Sequence, residues 1–141
     1  MPSIRTLALA TPRRGADLLV FEGHDPTNGQ PFYRPLGGGI EFGETAETAV
    51  RRELREELAV DLLDVRQLAV LENIFHGSGH AGHEIVFVFD CRLGDQSLYD
   101  RDLVGEILDD AGTRVMWRPM SSFDAQGPLY PVGLADLLRA G

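Results

Sequence analysis

Short apolar runs dominate the first third of the chain. "SIRTLALA" and then "DLLVFEG" predict two early strands, with the turn "TPRRG" between them. "DPTNGQP", Asp25 to Pro31, carries the residues of an exposed hairpin loop. "FYRPLGGGIEFGE" begins extended and ends in a glycine-rich loop. From Thr45 to about Ala59 the residues are helix formers without interruption, and Thr45 supplies an N-cap hydroxyl. "VRQLAVLENIF" and "HEIVFVFDCRL" are the clearest strands, rich in Val, Ile and Phe, with "HGSGHAG" as a flexible loop between them. "TRVMWRPM" predicts a last strand. "YPVGLADLLRAG" predicts a closing helix with Pro131 near its first turn and Gly141 after it. Strands on both sides of a central helix, followed by a terminal helix, predict a mixed α/β or α+β sandwich. No repeat or linker divides the 141 residues, so residues 1–141 are expected to form a single domain.

The central helix contains "RRELREEL", Arg51 to Leu58, in which all but two residues are charged. On a wheel with Ala46 at zero, Glu57 falls at about 20°, Glu53 at about −20° and Glu56 near −80°. Ala46, Ala49, Val50, Leu54 and Val60 share that half. Arg51, Arg52, Arg55 and Thr48 lie on the other. The carboxylates therefore sit among the apolar residues, the reverse of a solvated face. Unpaired buried carboxylates are unfavourable and repel one another, and clustered carboxylate oxygens are natural ligands for a hard divalent cation. The bland alternative is a set of surface salt bridges with the flanking arginines, and the helix alone does not decide between the two.

The preceding "LGGGIEFGE" places Gly37, Gly38, Gly39 and Gly43 just before this helix. Glycines permit close backbone approach, and a helix N-terminus attracts anions. Glycines feeding a helix with an acidic inner face offer backbone groups and metal ions to the same ligand, which points to a phosphate-containing one.

Gly38, five residues, Glu44, seven residues, then Arg52-Glu53-Leu54-Arg55-Glu56-Glu57-Leu58-Ala59-Val60 resembles the Nudix box, G-x5-E-x7-R-E-U-x-E-E-x-G-U. Every defined position from Gly38 to Val60 matches except Ala59, where the family prefers glycine. The resemblance implies a Nudix fold, an α/β/α sandwich around a mixed β-sheet. It also implies Mg²⁺- or Mn²⁺-dependent hydrolysis of a pyrophosphate bond in a nucleoside diphosphate linked to another moiety, such as a nucleoside triphosphate or a nucleotide sugar. Carried over by position, Glu56 and Glu57 would bind metal and the Gly38 carbonyl would join them. Glu53 would be a metal ligand or the base that deprotonates water. Arg52 and Glu44 would form a supporting ion pair, and Gly37 and Gly39 would lie against substrate. Ala59 replaces a glycine that typically takes a left-handed turn, a conformation that costs alanine about 1–2 kcal/mol. The rival from another class is a Nudix-fold module that senses a nucleotide without turnover. Degenerate boxes usually accompany that role, and this one keeps every carboxylate.

Composition narrows the partners. At 43% hydrophobic and 25% charged, the chain has the make-up of a globular protein, which excludes disordered and fibrous classes. The formal net charge of −9, with all 13 basic residues arginine, excludes a grip on long nucleic acid but allows a small nucleotide bridged by divalent cations. No apolar run reaches the roughly 18–20 residues of a membrane span. The opening residues are expected to be a strand and not a signal peptide, and the lone Cys91 fits a reducing cytoplasm. An exposed strand edge offers a contact for a homodimer. His76, His80 and His83 cluster in a spacing that matches no usual zinc site; His76 and His83 are candidates to touch substrate. Glu84, alternating onto a face with Val86 and Val88, and Glu106, in the expected loop before the last strand, are candidates for an extra carboxylate. Core packing is the better assignment for Trp117 than stacking on a base. The markers of ADP-ribose, dinucleoside polyphosphate and NADH hydrolases are missing, which leaves the substrate open.

Overall fold

The structure is a computed structural model that describes residues 2–77 and 80–140. Its middle layer is built from two sheets. One has the order β5-β1-β7-β6, formed by Gly37–Gly39, Arg5–Ala10, His80–Leu93 and Leu62–Gly77. The other has the order β2-β3-β9-β8, formed by Arg13–Arg14, Asp17–His24, Asp110–Pro119 and Leu103–Ile107, with β4 (Pro31–Arg34) paired to β3. Strands β1 and β7 run parallel and the remaining pairs are antiparallel, so the first sheet is mixed.

The period-2 alternation of β1 and β7 gives that sheet two apolar faces. Ala8 pairs with Phe87 and Ala10 with Phe89, and both pairs pack toward helix α1, Ala46–Leu58, through Ala49, Val50 and Leu54. Leu7 pairs with Val86 and Leu9 with Val88; these face the opposite way, toward α2 (Leu134–Ala140) and its buried Leu134 and Leu138. The second sheet continues both faces, with Leu19, Val115 and Trp117 on the α1 side and Leu18 and Val20 on the α2 side. Helices thus cover both faces of the strands, as expected. Among the described residues no helix is long and apolar enough to cross a membrane.

Several elements differ from the sequence expectation. Gly37–Gly39 is an edge strand rather than a loop, with Gly38 opposite Ala8. The long hairpin strands β6 and β7 absorb most of "HGSGHAG"; Ser78 and Gly79 lie outside the described residues. Glu106 belongs to β8, a strand not anticipated, and its Oε1 accepts a hydrogen bond from Gly112 N–H at 2.8 Å. The closing helix starts at Leu134, three residues after Pro131.

Candidate active site

Helix α1 begins where Thr45 caps it, its hydroxyl accepting from Thr48 N–H at 3.1 Å. It ends at Ala59, which takes the left-handed conformation (φ 53°, ψ 41°) and donates its N–H to Arg55 O at 2.9 Å. Alanine thus adopts the turn for which the family prefers glycine. A second tether comes from Leu108 N–H, which donates to the Glu57 carbonyl at 3.0 Å and ties the helix end to the β8–β9 hairpin.

These anchors place Glu53 and Glu57 against strand β5. A β-carbon on Gly38 would stand 2.6 Å from the Glu53 carboxyl carbon, so glycine is required for the carboxylate to lie there. Gly37 N–H donates to Glu57 Oε1 at 3.0 Å. Gly37 itself has φ +145°, and a side chain there would collide with the Ala8 carbonyl. Glu53 keeps 17% of its side-chain surface, whereas Glu56 is half exposed at 50% and lies toward solvent. The inward direction read from the wheel therefore describes Glu53 and Glu57 better than Glu56.

Arg52 holds the group together. Its Nε and Nη2 form a two-pronged contact with Glu44, at 2.8 and 3.0 Å, and Nη2 also reaches the Gly39 carbonyl at 3.0 Å. Its Nη1 reaches Glu53 at 3.1 Å and Glu56 at 3.2 Å. The wheel puts Arg52 on the half opposite the carboxylates, but its long side chain curls back over the helix to touch them. The Arg52 guanidinium, with help from Glu41 N–H, holds the Glu44 carboxyl down to about 2.

The other two carboxylates near β5 are pushed the opposite way. Burial, then the charges of Glu53, Asp109 and Glu56, pushes the Glu57 carboxyl up to about 8 against the relief given by Gly37 N–H. Burial also raises Glu53, with Arg52 opposing. Asp109, in the turn between β8 and β9, is a carboxylate that sequence reasoning missed in favour of Glu106. The usable signal was "DDAG", a turn between two β-rich runs.

The remaining candidates are dispersed. Glu84, 3% exposed, alternates with Val86 and Val88 onto the α2 face as its pattern predicts. It pairs with Arg34 at 3.1 Å and Arg5 at 3.6 Å. His83 lies four residues along β7 from Phe87, the partner of Ala8, which is about 13 Å by strand rise. His76, paired with Ala81, lies further along the same hairpin arm. Trp117 is buried, stacked on Tyr99, with its indole N–H donating to Leu98 O at 2.9 Å. A groove of about 760 Å³ beside the first turn of α1 reaches Glu44 and Glu47 but not Glu53, Glu56 or Glu57.

The donor set fits a hard divalent cation: carboxylates on one side of a glycine strand, with Glu57 contacting no arginine among the described residues. Among the described residues, no three or more His, Cys, Asp or Glu side chains are already drawn together as a metal site. Arg52 Nη1 sits between Glu53 and Glu56 instead.

The family profile of the NUDIX domain matches residues 1–126, and the chain belongs to that family. Its fold is similar to a MutT NUDIX hydrolase from Burkholderia pseudomallei, with TM-score 0.69 and 21% identity over 99% of both chains. It is also similar to a MutT protein from Bacillus halodurans, with TM-score 0.65 and 15% identity over 96% of this chain and 80% of that one. A third similar structure is an ADP compounds hydrolase, with TM-score 0.65 and 17% identity over 99% and 73% of the two chains. No curated protein matches the sequence.

Proposed function

We propose that this protein is a hydrolase, dependent on Mg²⁺ or Mn²⁺, that cleaves a pyrophosphate bond in a small nucleotide: a nucleoside diphosphate linked to another moiety. The observation that carries this reading is the half-buried Glu57 carboxyl, held by Gly37 N–H beside Glu53 and pushed up to about 8 by desolvation and neighbouring negative charge. Such a group favours a state in which cations balance it. Family membership and the fold of hydrolases such as the MutT protein of Burkholderia pseudomallei support the reading.

Glu53, Glu56 and Glu57 would hold the metal ions, with the Gly38 carbonyl as a further oxygen donor, and Asp109 adds negative charge to the same place. Bound divalent ions would neutralise the pyrophosphate oxygens and lower the pKa of water. Loading would require Arg52 Nη1 to release Glu53 and Glu56 while its two-pronged hold on Glu44 keeps strand and helix in register. Glu53, whose affinity for a proton is raised by burial, is suited to accept the proton of the attacking water. Gly37 and Gly39 bring backbone rather than side chains to the substrate phosphates.

A hydrolysis panel with Mg²⁺ and Mn²⁺ tests this, with products identified by mass. It spans standard and oxidised nucleoside triphosphates, ADP-ribose, nucleotide sugars and dinucleoside polyphosphates, with Glu56→Gln alongside. Metal-dependent cleavage lost in the variant is expected. Nucleotide binding without turnover across the panel would replace the hydrolase with a sensor.

A further inference from the structure

On the side of the sheet that faces α2, away from the helix glutamates, lies a hollow of about 300 Å³. Arg13 of β2 stands on its wall; it is paired in register with Leu18, which belongs to the core beneath α2. Leu68 and the α2 residues Leu137 and Leu138 form an apolar floor. Arg66, held to Asp90 at 3.3 Å, adds a second guanidinium at the rim.

Arg13 is the unusual member. Its Nε is buried and makes no hydrogen bond, and among the described residues its guanidinium has no carboxylate or carbonyl partner. Arg118 is the other arginine with an unmatched buried Nε, but its guanidinium stacks on Tyr33 at 4.1 Å. Among the described residues Arg13 has no such ring contact. The Nε is closed off, so it is the Nη groups of this half-buried guanidinium, without a protein acceptor among the described residues, that are free to bind a ligand in the hollow.

We propose that this hollow binds a small organic oxyanion, a carboxylate or phosphate monoester carried on a compact apolar body. The guanidinium fork of Arg13 matches the paired oxygens of such a group, and Arg66 leaves the rim net positive once Asp90 is counted. The leucine floor takes the apolar part. The volume lies at the small end of ligand sites, which suits a single ring and excludes a dinucleotide. The site is separate from the carboxylates of α1, so its occupancy does not depend on the hydrolase reading.

The test is an amide-resolved NMR titration of the full chain, free of metal, with benzoate and with phenyl phosphate. Saturable shifts are expected at Thr11, Arg13, Leu137 and Leu138. Response to benzoate alone, phenyl phosphate alone or both supports the site and names the oxyanion. Arg13→Gln is expected to weaken binding about tenfold, while Glu57→Gln leaves it unchanged. Arg66→Gln, at an exposed position that folding tolerates, gives a second loss of affinity. Shifts centred on Gly37–Gly39 and α1, no saturable shift with either probe, or wild-type affinity in a folded Arg13→Gln would overturn the proposal.

Discussion

Gly38 and Glu53 depend on each other through a single missing atom. A β-carbon at Gly38 would lie 2.6–2.8 Å from the Glu53 carboxyl atoms, so Gly38→Ala must drive Glu53 off its position. The expected result is a loss of about a hundredfold in kcat/KM with the fold retained, read by steady-state kinetics beside a circular dichroism melt. A variant with unchanged kcat/KM would show that Glu53 need not lie over Gly38. The glutamates were legible in the sequence because identity and spacing mark them. Two other features were not. A helical wheel records where a side chain leaves the backbone and not how far arginine reaches, so Arg52 appeared remote from Glu53 and Glu56. The "DDAG" turn marks Asp109 locally, but its approach to Glu57 comes through the β8–β9 hairpin, a tertiary contact outside that pattern.

Among the elements, α1 was the most legible, because capping and periodicity are local: Thr45 caps it, and the helix ends at Leu58, one residue before the expected Ala59. Its exit carries a measurable strain. Ala59 sits at φ 53° with its N–H bonded to Arg55 O, a conformation glycine adopts without the β-carbon penalty. Ala59→Gly is therefore expected to stabilise the protein by roughly 0.5–1 kcal/mol, because relief of the strain exceeds the extra unfolded-state entropy of glycine. Denaturant unfolding checks it, and a destabilised variant would contradict the strain. Strand β5 was read as a loop because three glycines look like a turn. They pair as a strand because β1 offers an edge with Ala8 opposite Gly38, and because a side chain at Gly37 would strike the Ala8 carbonyl. The β6–β7 hairpin ran longer than expected for a related reason: pairing to a long partner carries "HGSGHAG" into extended structure as far as Gly77 and from His80 onward.

For the molecule as a whole, the acidic site sets the pH dependence of stability in the absence of metal. Glu57 is raised to about 8 in the fold, so between its ordinary 4.5 and about 8 the folded state binds the extra proton. This group's contribution is full below 4.5 and is lost as pH rises toward 8. Glu44 acts in the opposite sense: lowered to about 2, it contributes above 4.5 and loses that contribution as pH falls toward 2. Melting temperature of the metal-free protein should therefore decline on the alkaline side between pH 5 and 8, as estimated from these limits. Glu57→Gln should flatten that decline, and Mg²⁺ should reverse it in the wild type. A wild-type curve identical to that of Glu57→Gln would remove Glu57 from the explanation. The helices on both faces and the mixed sheet were legible from the order of apolar runs; the division into two sheets was not, since it depends on which edges meet.

The proposed role of this half-buried acidic group is to hold cations. Its most direct measurement is a calorimetric titration of Mn²⁺ at neutral pH in two buffers of different ionisation enthalpy. Because Glu57 carries a proton at that pH without metal, binding should release about one proton to the buffer, and both binding and release should fall away in Glu57→Gln. Absence of Mn²⁺ binding, or binding of equal strength in the variant without proton release, would contradict it.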